Sequence, residues 1–128
     1  MKRFLIPAVL CLLLAGCGEE KQTEQTQYMQ ITAAEAKTMM DGEKDYVLLD
    51  VRSQAEYDEG HIKDAFLLPD TEIKDRAEDE ISDKDTLILV YCRSGRRSKL
   101  AAQDLTALGY TNVYEFGGII DWPYETVE

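Results

Sequence analysis

TLILVYCRSGRRSKLAAQDL, residues 86–105, passes from an apolar run through a basic loop into an amphipathic segment. Thr86 to Tyr91 shows no polar alternation, the pattern of a central parallel strand covered by helices on both faces. From Ser98 to Leu108 the apolar residues fall at 100, 101, 105 and 108 and the run stops at Gly109, which predicts a helix with Ser98 as its N-cap. The loop from Cys92 to Arg97 therefore joins the carboxyl end of a buried strand to a helix N-terminus, the usual location of a ligand site in open α/β sheets.

The same alternation extends in both directions. Upstream, Tyr28 to Ile31 reads as a strand, Thr32 to Glu35 as a capping box opening a helix that runs to about Asp41, and Tyr46 to Val51 as a second strand. Gln54 to Glu59 makes a short helix closed by Gly60, Ala65 to Leu68 a short strand, and Ile73 to Ile81 a helix whose residues 73, 77 and 81 share one face. Downstream, Asn112 to Phe116 gives the last strand. The expectation is an α/β fold with an open, mainly parallel five-stranded sheet and helices on both faces. Residues 28–128 form this one domain; a chain of 128 residues, 45% hydrophobic, has room for a single core.

The first 27 residues read differently. Lys2 and Arg3 precede an apolar run from Phe4 to Ala15 that is too short to span a bilayer comfortably, as in a secretory signal. It ends in LAGC, residues 14–17, which resembles the lipobox of bacterial lipoproteins. That resemblance implies cleavage after Gly16 (residues 1–16 as signal peptide), a diacylglyceryl group on the Cys17 thiol and a protein anchored to the extracytoplasmic side of a membrane in a bacterial cell envelope. Each buried methylene contributes about 0.8 kcal/mol to such an anchor. Residues 18–27, GEEKQTEQTQ, carry no aliphatic or aromatic side chain and read, with Cys17, as a solvated tether.

Charge and composition exclude several classes. Acids outnumber bases 25 to 14, giving a net charge of −11, so a broad basic face for nucleic acid is not expected and any positive patch must be local. One histidine, His61, and three cysteines, of which processing removes Cys11, leave too few soft ligands for a zinc site; no metal or other cofactor is expected. Cys92 then stands as the one unmodified thiol of the mature domain. Beside it are Arg93, Arg96 and Arg97, with Gly95 allowing a tight curl. Loop and helix-start amides can point at an anion, and this setting favours the thiolate, the nucleophilic form of cysteine.

CRSGRRS, residues 92–98, resembles the active-site loop of single-domain rhodaneses, the thiosulfate or persulfide sulfurtransferases. LLDVRSQAEYDEGHIKDAFLLP, residues 48–69, is similar to the upstream signature of that family through Asp50, Arg52, Glu56, Gly60, His61, Ile62, Ala65 and Pro69, and FGGIIDWP, residues 116–123, resembles its closing signature. Two positions depart from it: the family often has Gly where Asp64 stands and Asn where Leu67 stands. The resemblance implies a catalytic Cys92 that takes sulfane sulfur from thiosulfate or a persulfide as a cysteine persulfide and passes it to cyanide or a thiol. Arg93, Ser94, Gly95, Arg96, Arg97 and Ser98 would form the anion cradle. Within it, Arg97 is expected to fix the loop or bind anionic donor, and Arg93 and Arg96 to set the positive potential of the mouth.

Asp50 and Arg52 read as scaffold, pairing with one another or with the neighbouring loop, and Glu56 falls on the short helix after them. His61 reads as a hydrogen-bonded structural imidazole, and Trp122 and the Gly117–Gly118 pair as packing and turn residues outside the site. A monomer is expected. Two alternatives stand beside the enzyme: a slow or non-catalytic module that carries persulfide or docks a partner, and a phosphatase of the same fold. The phosphatases place five residues between Cys and Arg, whereas Cys92 and Arg97 enclose four, and the next position is Ser98, which cannot clamp phosphate in two-pronged fashion.

Overall fold

The computed structural model describes residues 27–43 and 45–128. The signal segment, Cys11, Cys17 and the tether through residue 26 lie outside the described residues. Among those described, no helix is long and apolar enough to cross a membrane.

The elements in chain order are β1 (Met29–Gln30), α1 (Ala33–Gly42), β2 (Tyr46–Asp50), α2 (Gln54–Glu59), β3 (His61–Ile62), β4 (Phe66–Leu67), α3 (Ile73–Glu80), β5 (Leu87–Cys92), α4 (Arg96–Ala107), β6 (Val113–Gly118) and β7 (Thr126–Val127). Five strands form one sheet in the order β1-β6-β5-β2-β4, every neighbouring pair parallel, so the expected five-stranded parallel sheet is present. A small antiparallel pairing of β3 with β7, which the sequence reading does not contain, ties the C-terminus back to His61 and Ile62.

All six residues of β5 are buried, and alternation divides them between two apolar layers. Ile88, Val90 and Cys92 join Ile73, Ala77 and Ile81 and the inner face of α4, Ala101, Ala102 and Leu105. Leu87, Leu89 and Tyr91 join Ala36 of α1, Phe116 and Trp122. This is why the stretch reads as continuous hydrophobicity: each face has its own helical cover. Trp122 packs at 5.5 Å from Phe116 and edge-on to Tyr124.

Local signals set the boundaries. Thr32 and Ser53 each cap a helix in a reciprocal box with the Glu three residues on, Glu35 and Glu56. Asp64, at φ 68°, occupies a left-handed turn, at the position where the resembled signature often has glycine; Asp is among the residues that tolerate it. One boundary differs from expectation. The helix of the decisive stretch begins at Arg96, and its N-cap is Gly95 at φ 105°, not Ser98. Ser98 lies one turn inside, fully buried, because the curl at Gly95 lets the helix start directly out of the loop.

Candidate active site

Cys92 ends β5 with its side chain fully buried. The chain then folds over it: the Gly95 N–H donates to Cys92 Sγ at 3.0 Å, closing a tight turn around the sulfur. The thiol lies 3.3 Å from the Ser98 hydroxyl oxygen, to which it donates. By helix geometry the N–H groups of Arg96, Arg97 and Ser98 in the first turn of α4 have no intrahelical acceptor, and they stand at this same end. The loop thus offers donors around a sulfur and can stabilise negative charge there without a metal.

The floor of the loop is built by β6. Opposite the end of β5 the register slips, so that Val90 faces Glu115 but Cys92 faces Gly118. The amide of Gly117 freed by this bulge donates to Glu115 Oε1 at 2.7 Å. Gly118 carries the loop backbone directly: a Cβ there would stand 1.9 Å from the Arg93 carbonyl oxygen. The Arg93 carbonyl also accepts from Ile120 N–H at 3.3 Å. The Gly117–Gly118 pair therefore belongs to the site's foundation, which its reading as turn residues outside the site does not capture.

The arginines divide by environment. Arg97 donates through both terminal nitrogens to Glu56 of α2, at 2.7 and 2.9 Å. Those hydrogen bonds from Arg97 are the main reason the Glu56 carboxyl is pulled down to about 2, and Arg97 is raised in turn, first by Glu56. Arg93 and Arg96 are exposed beside the loop, as is Ser94.

Asp50 and Arg52 lie at the adjacent strand end and pair with each other, 2.7 Å apart and almost fully buried. Asp50 also accepts from Tyr91 Oη at 2.6 Å, and Arg52 donates to the Gly60 carbonyl at 2.7 Å. Burial, reinforced by the neighbouring Asp50, pushes the Tyr91 hydroxyl well above its ordinary range, so it stays a donor. His61 stacks on Tyr57 with ring centroids 3.7 Å apart, and its Nδ1 lies 2.9 Å from the Tyr57 carbonyl, an acceptor that keeps the proton on Nδ1. Its partner is Tyr57, not Cys92.

Glu115 is the residue that sequence reasoning passes over. It is 2% exposed, and its Oε1 accepts from the Ser98 hydroxyl at 2.7 Å. The available signal is its place in the period-two pattern of β6, where Val113 and Glu115 face inward together just before two glycines.

Comparison with known proteins agrees with this geometry. The family profile described as Rhodanese-like domain matches residues 32–123. Thiosulfate sulfurtransferase PspE of Escherichia coli (strain K12) is 37% identical over 73 residues, 57% of this chain and 70% of that protein. Thiosulfate sulfurtransferase GlpE of Coxiella burnetii is 36% identical over 96 residues, 74% of this chain and 87% of that protein. A solved structure described as rhodanese with anions from E. coli superposes with a TM-score of 0.61 at 34% identity, covering 65% of this chain and 98% of that one. With the profile matching most of the chain and relatives named thiosulfate sulfurtransferase at 36–37% identity, the chain belongs to the rhodanese-like family and is a rhodanese-type sulfurtransferase.

Proposed function

We propose that Cys92 carries the transferred sulfur. The Cys92 thiolate attacks the outer sulfur of thiosulfate, an S–S bond forms to Sγ, and the bond to the sulfonate sulfur breaks as sulfite leaves with the electron pair. A nucleophilic acceptor, cyanide or a thiolate, then attacks the terminal sulfur and Cys92 leaves as thiolate, so the cycle is covalent and of the ping-pong kind. The observation that carries this reading is the 3.0 Å bond from Gly95 N–H to Cys92 Sγ inside a loop of amides. It supports a cradle for an anionic sulfur, as does the relative whose description names bound anions. Arg93, Ser94, Gly95, Arg96, Arg97 and Ser98 form that cradle, and Asp50, Arg52 and His61 support it from the neighbouring strand ends.

The test is mass. Incubation with thiosulfate should add one sulfur, about 32 Da, lost on adding cyanide and absent in Cys92→Ser. No adduct with any sulfane donor, together with turnover of an aryl phosphate, would overturn the reading in favour of a phosphatase. A persulfide that forms but turns over slowly with every small acceptor would instead favour a carrier or docking module.

We further propose that the chain acts from a membrane surface in the bacterial cell envelope, held by lipid on Cys17, as a monomer. The support is the small-small-Cys ending of the N-terminal apolar run. Cys17→Ala should release the protein from the membrane fraction; retention with an unacylated N-terminus would sink this.

A further inference from the structure

We infer that Glu115 shares the Cys92 proton through Ser98, so that the thiolate forms by an internal proton shift along a buried line. This rests on Cys92 being the sulfur carrier. The three side chains are 0%, 0% and 2% exposed, with the Cys92 thiol 3.3 Å from Ser98 Oγ and Ser98 Oγ 2.7 Å from Glu115 Oε1. The Ser98 hydroxyl has one proton, and its shortest contact is the Glu115 carboxylate; the nearby carbonyls of Gly95 and Gly117 stand at 3.0 and 3.3 Å. While that proton points at Glu115, the Ser98 oxygen can only accept from the Cys92 thiol.

Burying a carboxylate away from water is costly unless its charge is answered. Glu115 takes part in none of the ion pairs among the described residues, and its donors are the Ser98 hydroxyl and the Gly117 amide. Opposite it on the flanking strands stand Val90 and Gln30, neither of which titrates. The charged groups around the line are Arg93 and Arg96 on the exposed rim and Arg97, which is paired with Glu56 and also lies in the field of Cys92 and Asp70. In this line a thiolate and a carboxylate stand one hydroxyl apart, an arrangement that disfavours both being charged together.

The shift balances without any outside group. The Cys92 proton passes to Ser98 Oγ while the Ser98 proton passes to Glu115, leaving a thiolate that accepts from Ser98 O–H and Gly95 N–H, and a neutral Glu115 that still accepts from Gly117 N–H. No electron moves and no proton leaves the protein. Glu115 holds the proton while the persulfide exists, and the reverse shift returns it when Cys92 is released. Because it does not touch the sulfur, Glu115 is a positioning residue acting through Ser98.

The experiment is the pH dependence of Cys92 alkylation by iodoacetamide in the full chain, read on the Cys92-containing peptide from about pH 5 to pH 8. It needs no sulfur donor, so its failure is distinct from failure of persulfide formation in the mass test. A shared proton gives a coupled titration: between its two steps the thiolate fraction is fixed by the internal equilibrium, and the wild-type rate should show a flat stretch. Glu115→Gln should abolish that stretch and leave a single titration, with a rate that declines steadily as the pH is lowered, about tenfold per unit below it. Ser98→Ala should lower the flat stretch at least about tenfold while leaving Glu115 in place, and it serves as the second variant should Glu115→Gln fold poorly. A wild-type rate that changes tenfold per unit over the whole range would overturn the inference, as would Glu115→Gln reacting faster at every pH, the behaviour of a merely repulsive charge.

Discussion

Arg97 and Glu56 stand 41 residues apart in sequence and meet in a two-pronged ion pair that joins the first turn of α4 to α2. Arg97 is thereby held to the protein's own carboxylate, which separates it from Arg93 and Arg96, both exposed. Of the two roles the sequence allows it, fixing the loop or binding donor, the geometry favours the first.

The pair makes stability depend on acid. Glu56 has its carboxyl lowered from 4.5 to about 2, chiefly by the Arg97 hydrogen bonds. A depressed folded-state value means that the stabilisation is complete above about pH 4.5 and is lost as pH falls through about 2. Both groups keep partial contact with water, so the contribution at neutral pH is about 1 kcal/mol. Denaturant melts of wild type and Glu56→Gln should differ by that amount at pH 6 and converge as the pH approaches 2; an undiminished gap at low pH would contradict the assignment.

Gly118 should tolerate no side chain. A Cβ would meet the Arg93 carbonyl oxygen at 1.9 Å and its carbonyl carbon at 2.3 Å, both backbone atoms that cannot turn aside. Gly118→Ala must therefore push the loop off β6, at about 1–3 kcal/mol, the range for overpacking. The displaced loop loses its hold on Cys92, so sulfur transfer should fall at least about tenfold. Gly42→Ala is the matched control, since nothing lies within 4 Å of its Cβ. A Gly118→Ala protein with wild-type activity would show that the loop does not depend on this contact.

Much of this arrangement is legible in the sequence because it follows from local rules. The unbroken run from Thr86 to Tyr91 gives the buried strand, found at Leu87–Cys92, residues 73, 77 and 81 give the inner face of α3, and Thr32 with Glu35 gives the capping box. What stays hidden depends on pairings between distant segments. Ser98 has the residue type and position of an N-cap, and only the left-handed turn at Gly95, packed 3.4 Å from Gly117 through its would-be Cβ, moves the helix start forward and buries the hydroxyl. Glu115 reads as one charged residue in a strand until the pairing of β6 with β5 sets it against Ser98 of α4. The partner of Arg97 is likewise invisible, since several carboxylates could reach it from sequence alone.

Tyr91→Phe should separate stability from chemistry. The Tyr91 hydroxyl donates to Asp50 at 2.6 Å and accepts from Ile62 N–H at 3.1 Å, all within the core. Its loss leaves one buried donor and one lone pair without a partner, at about 1–3 kcal/mol. Arg52 still holds Asp50, so the strand end stays in place. Lower thermal stability with kcat within about twofold of wild type is expected; a collapse of kcat in a folded variant would mean that this network reaches the chemistry.

Arg93 and Arg96 remain as exposed cations at the loop in a protein of net charge −11. The field of so acidic a surface repels a dianionic donor such as thiosulfate, and two local positive charges at the mouth counter it within a Debye length, about 8 Å at physiological salt. Such charges act on encounter and weak binding more than on the sulfur-transfer step. Arg93→Ala and Arg96→Ala should each raise the KM for thiosulfate a few-fold with kcat nearly unchanged, and the double variant should show a weaker dependence of kcat/KM on added salt. An uncharged acceptor should be insensitive to both substitutions. If kcat falls instead while KM holds, these arginines act in the transition state, and the steering role passes to the loop amides and α4.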